Sequence, residues 1–416
     1  MINNFGVEMK TTINCLPNEI IIKIISNLCV YDRISCQQIC HRWQQLSHIF
    51  MADIKAYSFG HHKRICDDTD HEVYDSRGLT ICFDKLIKIL DERSIIKQTL
   101  NLTPRLKCLN VYLRDSQSVD IINDFCSDIE CLTLISFEDQ VMLNAIPMIS
   151  KFGNTLRHLK ISDESRVIRR NGLEDLMAGM LSHCTQLQVF HLFRIQLNAK
   201  SCQMLSSNIR EISTQVGCSS IEALIKSKVY ENVEKLLIRK SIINSNRMET
   251  ICQSFINLKK FYIDSYSDCN DFTFFSLIGR MTNLEHLEIN FLPKLHNNFV
   301  CIDDLLSDLF VNCTKLTEIT LSCCANVKVT DQCLTKMSAF CTQLKTINFW
   351  KFGDMSGVSP VGIEALVSLT KLRYLTLDAM IFRTDQNLSY YYFQKLFKLN
   401  PNLKFIYLFA NQLNRI

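Results

Sequence analysis

The sequence predicts an α/β solenoid of stacked strand–helix units, with parallel strands inside and helices outside, preceded by a small all-helical unit. Three observations predict it. A six-residue apolar frame recurs along the last three quarters of the 416 residues. The stretches between its copies carry apolar residues at helical spacing. The front, CLPNEIIIKIISNL at residues 15–28, is apolar over more of its circumference than a lone surface helix can bury.

The front comes first along the chain. Pro17 is favoured at a first helical position and Glu19 suits a first turn, so a helix is expected from Pro17 to near Leu28. At ~100° per residue, Leu16 to Ile22 spread apolar side chains over roughly 240°, against the ~100° that packing on one core requires. Asp32 is expected to cap a second helix, and Ile39, Trp43, Leu46 and Phe50 follow at spacings of three and four. A unit of about 35 residues is too small to bury the whole arc alone. The excess implies a cover, either the repeat array or another protein.

Residues 52–105 link the front to the array. Within them FDKLIKILDERSIIKQTL is expected to be helical, as an amino-terminal cover for the first repeat.

From residue 106 to 416 the frame φ-x-x-φ-x-φ, with φ apolar, organises the chain. It begins at Leu106, Ile129, Leu156, Leu187, Val233, Leu258, Leu284, Leu316, Leu344, Leu372 and Leu403, with a weak copy at Ile209 that lacks its last apolar residue. Start-to-start spacings run from 22 to 32 residues. Segments such as DLMAGMLSHCTQL, DDLLSDLFVNCTKL and DQCLTKMSAFCTQL read as the intervening helices, and three enter the next frame through Cys-Thr-x-Leu at Cys184, Cys313 and Cys341. Neither strand nor helix can bury its apolar face alone, so stacked units share a continuous core. Frame positions four and six should face that core, and positions three, five and seven the concave surface.

This frame resembles the leucine-rich repeat family. In LTEITLSCCANVKVTDQCLTKMSAFCTQL, Leu316, Ile319, Leu321 and Cys324 fit the L-x-x-L-x-L-x-x-C of its cysteine-containing subtype, and Asn411 takes the corresponding place in the last unit. Phe352, Met380 and Leu292 depart from it. The resemblance implies a horseshoe of parallel inner strands and outer helices.

The front, LPNEIIIKIISNLCVYDRISCQQICHRWQQLS, resembles an F-box without a gap: Leu16-Pro17, Glu19, Ile20, Ile24, Leu28, Asp32 and the closing Cys40-His41-Arg42-Trp43 all match. The resemblance implies docking onto a Skp-type adaptor, and through it onto cullin and RING subunits of a ubiquitin ligase, while the repeats choose a protein substrate. It puts Leu16, Pro17, Ile20, Ile24, Leu28, Cys40 and Trp43 at or behind the adaptor surface. Contact is expected of Leu16 and Pro17, a core place of Trp43. The implied division is a flexible terminus (1–12), the F-box (13–51), the link and cover (52–105) and the repeats (106–416). A repeat scaffold or ligand sensor uncoupled from ubiquitination is the alternative.

The remaining features are consistent with such a binding role. A net charge of +4 demands neither nucleic acid nor an anionic membrane. The amino-terminal residues carry no apolar signal region and no run reaches ~18 apolar residues. The twenty cysteines include no Cys-x-x-Cys and read as reduced residues of a cytoplasmic or nuclear protein. No phosphate loop or nucleophile elbow appears, so no catalytic residue and no cofactor is expected. The cluster HHKRICDDTDH, from His61 to His71, reads as a solvated linker rather than a metal site, Cys36, Cys40 and His41 as core and surface residues, Cys323-Cys324 as structural, and Arg166 to Arg170 as a charged loop. Substrate contact is expected on the last strands, where Trp350, Tyr374, Phe405, Tyr407 and Phe409 take concave positions. The same rings could instead close the open end of the stack.

Overall fold

The computed structural model describes residues 13–28, 30–60, 79–82, 92–136, 138–163, 173–215, 218–265, 271–291, 300–322, 327–350, 354–377 and 394–408. Residues 1–12, the His61–His71 cluster, Arg166 to Arg170, Leu292, Cys323-Cys324, Phe352, Met380, Phe409 and Asn411 lie outside them. The chain divides into two compact units, Met1–Val167 and Ile168–Ile416. Among the described residues no helix is long and apolar enough to cross a membrane.

The first unit opens with three helices: α1 (Asn18–Ser26), α2 (Val30–Cys36) and α3 (His41–Ala52). The link then contributes to a sheet. Strands β1 (Ala56–Gly60) and β2 (Leu79–Cys82) precede helix α4 (Glu92–Leu102). Next come β3 (Cys108–Leu113), α5 (Ser116–Phe125), β4 (Cys131–Ser136), α6 (Asp139–Lys151) and β5 (His158–Asp163). The strands are parallel in the order β2-β1-β3-β4-β5. Helix α4, part of the expected cover, buries Ile95, Ile96 and Leu100 and touches α2, α3 and α5. The helical front is therefore packed onto the first repeat. Only residues 53–55 separate α3 from β1, and Lys55 O accepts bonds from Lys107 N and Cys108 N.

Two details of the front differ from expectation. Asp32 lies inside the first turn of α2 rather than capping it. Ile39 is not on the α3 stripe: α2 ends at Cys36, residues 37–39 turn, and Cys40 in extended conformation caps α3, so Ile39 points outward. Spacing by three and four cannot show a helix break that falls between its members.

In the second unit α7 (Leu173–His183), β6 (Val189–Phe193), α8 (Ala199–Gln203), β7 (Glu211–Gln215), α9 (Cys218–Ser227), β8 (Lys235–Arg239), α10 (Ser245–Ser254), β9 (Lys260–Ser265), α11 (Phe274–Ile278) and β10 (His286–Phe291) alternate. The pattern continues through β11 (Val300–Cys301), α12 (Asp303–Asn312), β12 (Glu318–Ser322), β13 (Val327–Thr330), α13 (Asp331–Phe340), β14 (Thr346–Trp350), β15 (Asp354–Gly357), α14 (Pro360–Ala365), β16 (Tyr374–Leu377) and β17 (Phe405–Leu408). Parallel pairing runs β6-β7-β8-β9-β10-β12-β14-β16-β17, and β11-β13-β15 form a separate small sheet. This is the leucine-rich-repeat arrangement that the frame predicts.

The frame positions behave as the alternation requires. In β14, Ile347 and Phe349 are buried while Thr346, Asn348 and Trp350 face outward. The weak copy still forms a strand, β7, because backbone bonds from both neighbours hold it; Thr214 takes the missing apolar slot and is buried. Capping residues start the helices: Asp115, Asn198, Asn244, Thr330 and Ser359 each accept an N–H from the first turn.

Side chains also tie each repeat to the one before it. Asn208, Asn232 and Asn257 donate to the carbonyls of Thr185, Ser207 and Glu231 in the preceding turn. The Cys-Thr-x-Leu cysteines form a second ladder: Cys313 Sγ lies 3.5 Å from Met281 O, and Cys341 Sγ 3.5 Å from Phe310 O. Both are helix caps and both are buried. A small residue with a weak donor can close that dry turn, whereas a serine there would bring a stronger and costlier polar group.

Candidate functional site

The site is built on α1. Ile21 and Ile25, one turn apart, are fully buried and form a core with Cys36, Trp43 and Leu46. That fixes the helix's orientation. Pro17, Ile20 and Ile24, at i, i+3 and i+7, then run along one flank. Ile20 is 44% exposed, Pro17 is exposed and Ile24 is half-buried. Leu16, Leu28 and Cys40 are half-buried and pack against the edge of the core. Trp43, 2% exposed, stands behind this surface and supports it. Trp43 takes the core place expected of it, packed with Ile21, Ile25, Cys36 and Leu46.

Two arginines hold the face in place. Arg42 Nη2 donates to Leu16 O at 2.6 Å and to Asn18 Oδ1 at 2.6 Å. This bond ties the start of α1 to the start of α3, bringing Leu16 and Pro17 to the end where Cys40 caps α3. Arg33, buried, donates to Leu28 O and Ser26 O at 2.7 Å each, and its guanidinium lies 5.0 Å from the centre of the Phe50 ring. It satisfies carbonyls at the carboxyl end of α1, where the helix dipole also favours a cation. Sequence reading singled out neither role. The available signal for Arg33 was a basic residue five positions beyond Leu28. The unit also exposes Ile13, Ile39 and Ile49.

Residues 13–50 match the F-box-like family. The match covers α1, α2 and all but the last two residues of α3. No curated protein sequence matches the chain. Among solved structures, the yeast complex of Rad7 and Elc1 contains a chain with 16% identity and a TM-score of 0.48, over 77% of this chain and 81% of that one. The TLR13–ssRNA13 complex gives 15% identity and a TM-score of 0.44, over 76% of this chain, which spans only 41% of that one.

The expected substrate surface is placed in part. Trp350 is 41% exposed and Tyr374 45% exposed, both on the sheet face away from the helices. Tyr374 is in register with Phe405 and Thr376 with Tyr407. Trp350 pairs with Ser322, whereas Tyr374 pairs with Thr346 at the other end of the strand. At ~3.3 Å per residue Trp350 therefore stands ~13 Å along the strand from Tyr374. The two residues stand at opposite ends of neighbouring strands.

Mid-face, Glu211 accepts from His191 Nε2 at 2.8 Å and Lys235 Nζ at 3.0 Å. Burial alone would raise its carboxyl, but these two partners outweigh it and hold it below the usual range.

Proposed function

We propose that this chain is the substrate-recognition subunit of a Skp–cullin–F-box ubiquitin ligase. The F-box-like domain binds a Skp-type adaptor, the adaptor brings cullin and RING subunits, and the repeats, of the cysteine-containing type, hold a protein substrate. The observation carrying this reading is the uncovered flank of α1: Pro17 and Ile20 stay exposed in a domain whose core is otherwise closed. Exposed apolar side chains beside a packed core suit a permanent partner.

In this role the chain makes and breaks no bond. It raises the local concentration of a substrate lysine near the ubiquitin thioester. Leu16, Pro17, Ile20, Ile24, Leu28 and Cys40 form the adaptor face, and the strand face carrying Trp350 and Tyr374 is open to substrate. The setting is cytoplasmic or nuclear, where such ligases work.

Co-purification tests the proposal. The full chain should retain a Skp-type adaptor, and Leu16→Ala with Pro17→Ala should lose it while circular dichroism stays unchanged. Wild-type chain that retains no adaptor would remove the ligase reading. Undiminished retention by the double variant would remove these two contacts.

A further inference from the structure

The exposed sheet face of the first unit carries a group that the proposed function does not use. At frame position three the parallel strands bring Ala56, Cys108, Cys131 and His158 into one row. Cys108 and Cys131 are direct cross-strand partners, both half-buried and neither in a disulfide. Register is kept from Cys108 to Leu113, so both side chains leave the same face. Neighbouring strands lie ~4.8 Å apart. That spacing falls inside the ~4.4–6.8 Å Cα window in which a disulfide can close. The β1 neighbour in the row is Ala56, a small side chain.

The neighbouring Cys131 holds the Cys108 thiol below its ordinary value against burial and Glu130, while Cys108 and burial push the Cys131 thiol up. The buried cysteines go the other way: burial pushes Cys126, Cys184, Cys202, Cys252, Cys313 and Cys341 up to about 12. The thiolate is the attacking species, so the lowered Cys108 thiol is placed to react first, with Cys131 as its direct cross-strand neighbour.

We propose that Cys108 and Cys131 form an oxidative modification site, a cross-strand dithiol that a low-molecular-weight disulfide of the glutathione class converts to a protein disulfide. Cys108 thiolate attacks one sulfur of the small disulfide, forming a mixed disulfide and expelling one thiolate. Cys131, on losing its proton, attacks the Cys108 sulfur and expels the second. Two protein thiols are oxidised and one small disulfide is reduced to two thiols. The product joins strands that are already paired, so the repeats need not rearrange.

The test uses the full reduced chain with oxidised glutathione and non-reducing peptide mapping, with fragmentation to separate Cys131 from Cys126. A Cys108–Cys131 bridge is expected in wild type, and a glutathione adduct on Cys108 that accumulates in Cys131→Ser. Limiting iodoacetamide on wild type, which needs no variant, should label Cys108 about tenfold faster than Cys131 or Cys184. Three results would each overturn the site: Cys108 labelled no faster than Cys131, glutathione retained on wild-type Cys108 without transfer, or Cys108 bridged to a different cysteine.

Discussion

Trp43 and Ile20 belong to one small domain and are held to opposite requirements. Trp43 fills the core, so Trp43→Ala should cost ~3–5 kcal/mol, read as a lower urea midpoint. Its indole N–H has no partner among the described residues, so Trp43→Phe should cost much less. Ile20 faces outward, and Ile20→Ser should change stability by no more than ~0.5 kcal/mol. The same substitution should abolish adaptor retention. If Ile20→Ser unfolds the domain instead, the exposed flank is part of its own core and the docking face is misplaced.

At the scale of elements, the repeats hold together through turns and caps as much as through strands. Asp331 accepts from Ser359 N at 2.7 Å and Gly362 N at 3.0 Å, stitching α13 to the start of α14. A methyl on Gly362 would run into the Asp331 carboxyl, so Gly362→Ala should destabilise by ~1–3 kcal/mol despite alanine's better helix propensity. The buried cysteine ladder makes a pH prediction. Cys313 and Cys341 thiols are raised by burial to about 12, well above an unfolded thiol near ~8.5. Below about pH 8.5 both states hold the proton and the stability is complete; above it the unfolded chain sheds protons that the folded chain retains, so stability falls toward about pH 12. Urea midpoints at about pH 8 and pH 10.5 should show the drop, and Cys313→Ala with Cys341→Ala should shrink it.

At the scale of the molecule, a repeat stack is stabilised by nearest-neighbour interfaces. Phe261 is buried in β9 with a repeat on each side, and Leu403 lies at the start of the last one. Phe261→Ala should lower the main unfolding transition by ~3–5 kcal/mol. Leu403→Ala should mainly add an early, partial loss of helicity, as the end repeat frays first. Hydrogen exchange resolved by peptide separates the two outcomes. If the strand face holds substrate, Trp350→Ala should weaken capture by a reconstituted ligase without altering this transition; unchanged capture would leave Trp350 without that role.

The residues alone determined that the chain stacks strand–helix units, because period-two alternation and the turn before each frame are local properties that each segment carries by itself. They also determined that the front has more apolar arc than it can bury, since that follows from composition and helical pitch. Other features lay outside local reading. The break that turns Ile39 outward, the place of α4 between the front and the first repeat, and the arginines that pin α1 depend on which distant groups meet. So does the Cys108–Cys131 pair, separated along the chain but made neighbours by strand register. Only packing chooses which flank of α1 is covered, because a helix with apolar residues on several sides can turn any of them inward, and the position of Trp43 decides that Ile21 and Ile25 go in and Ile20 stays out.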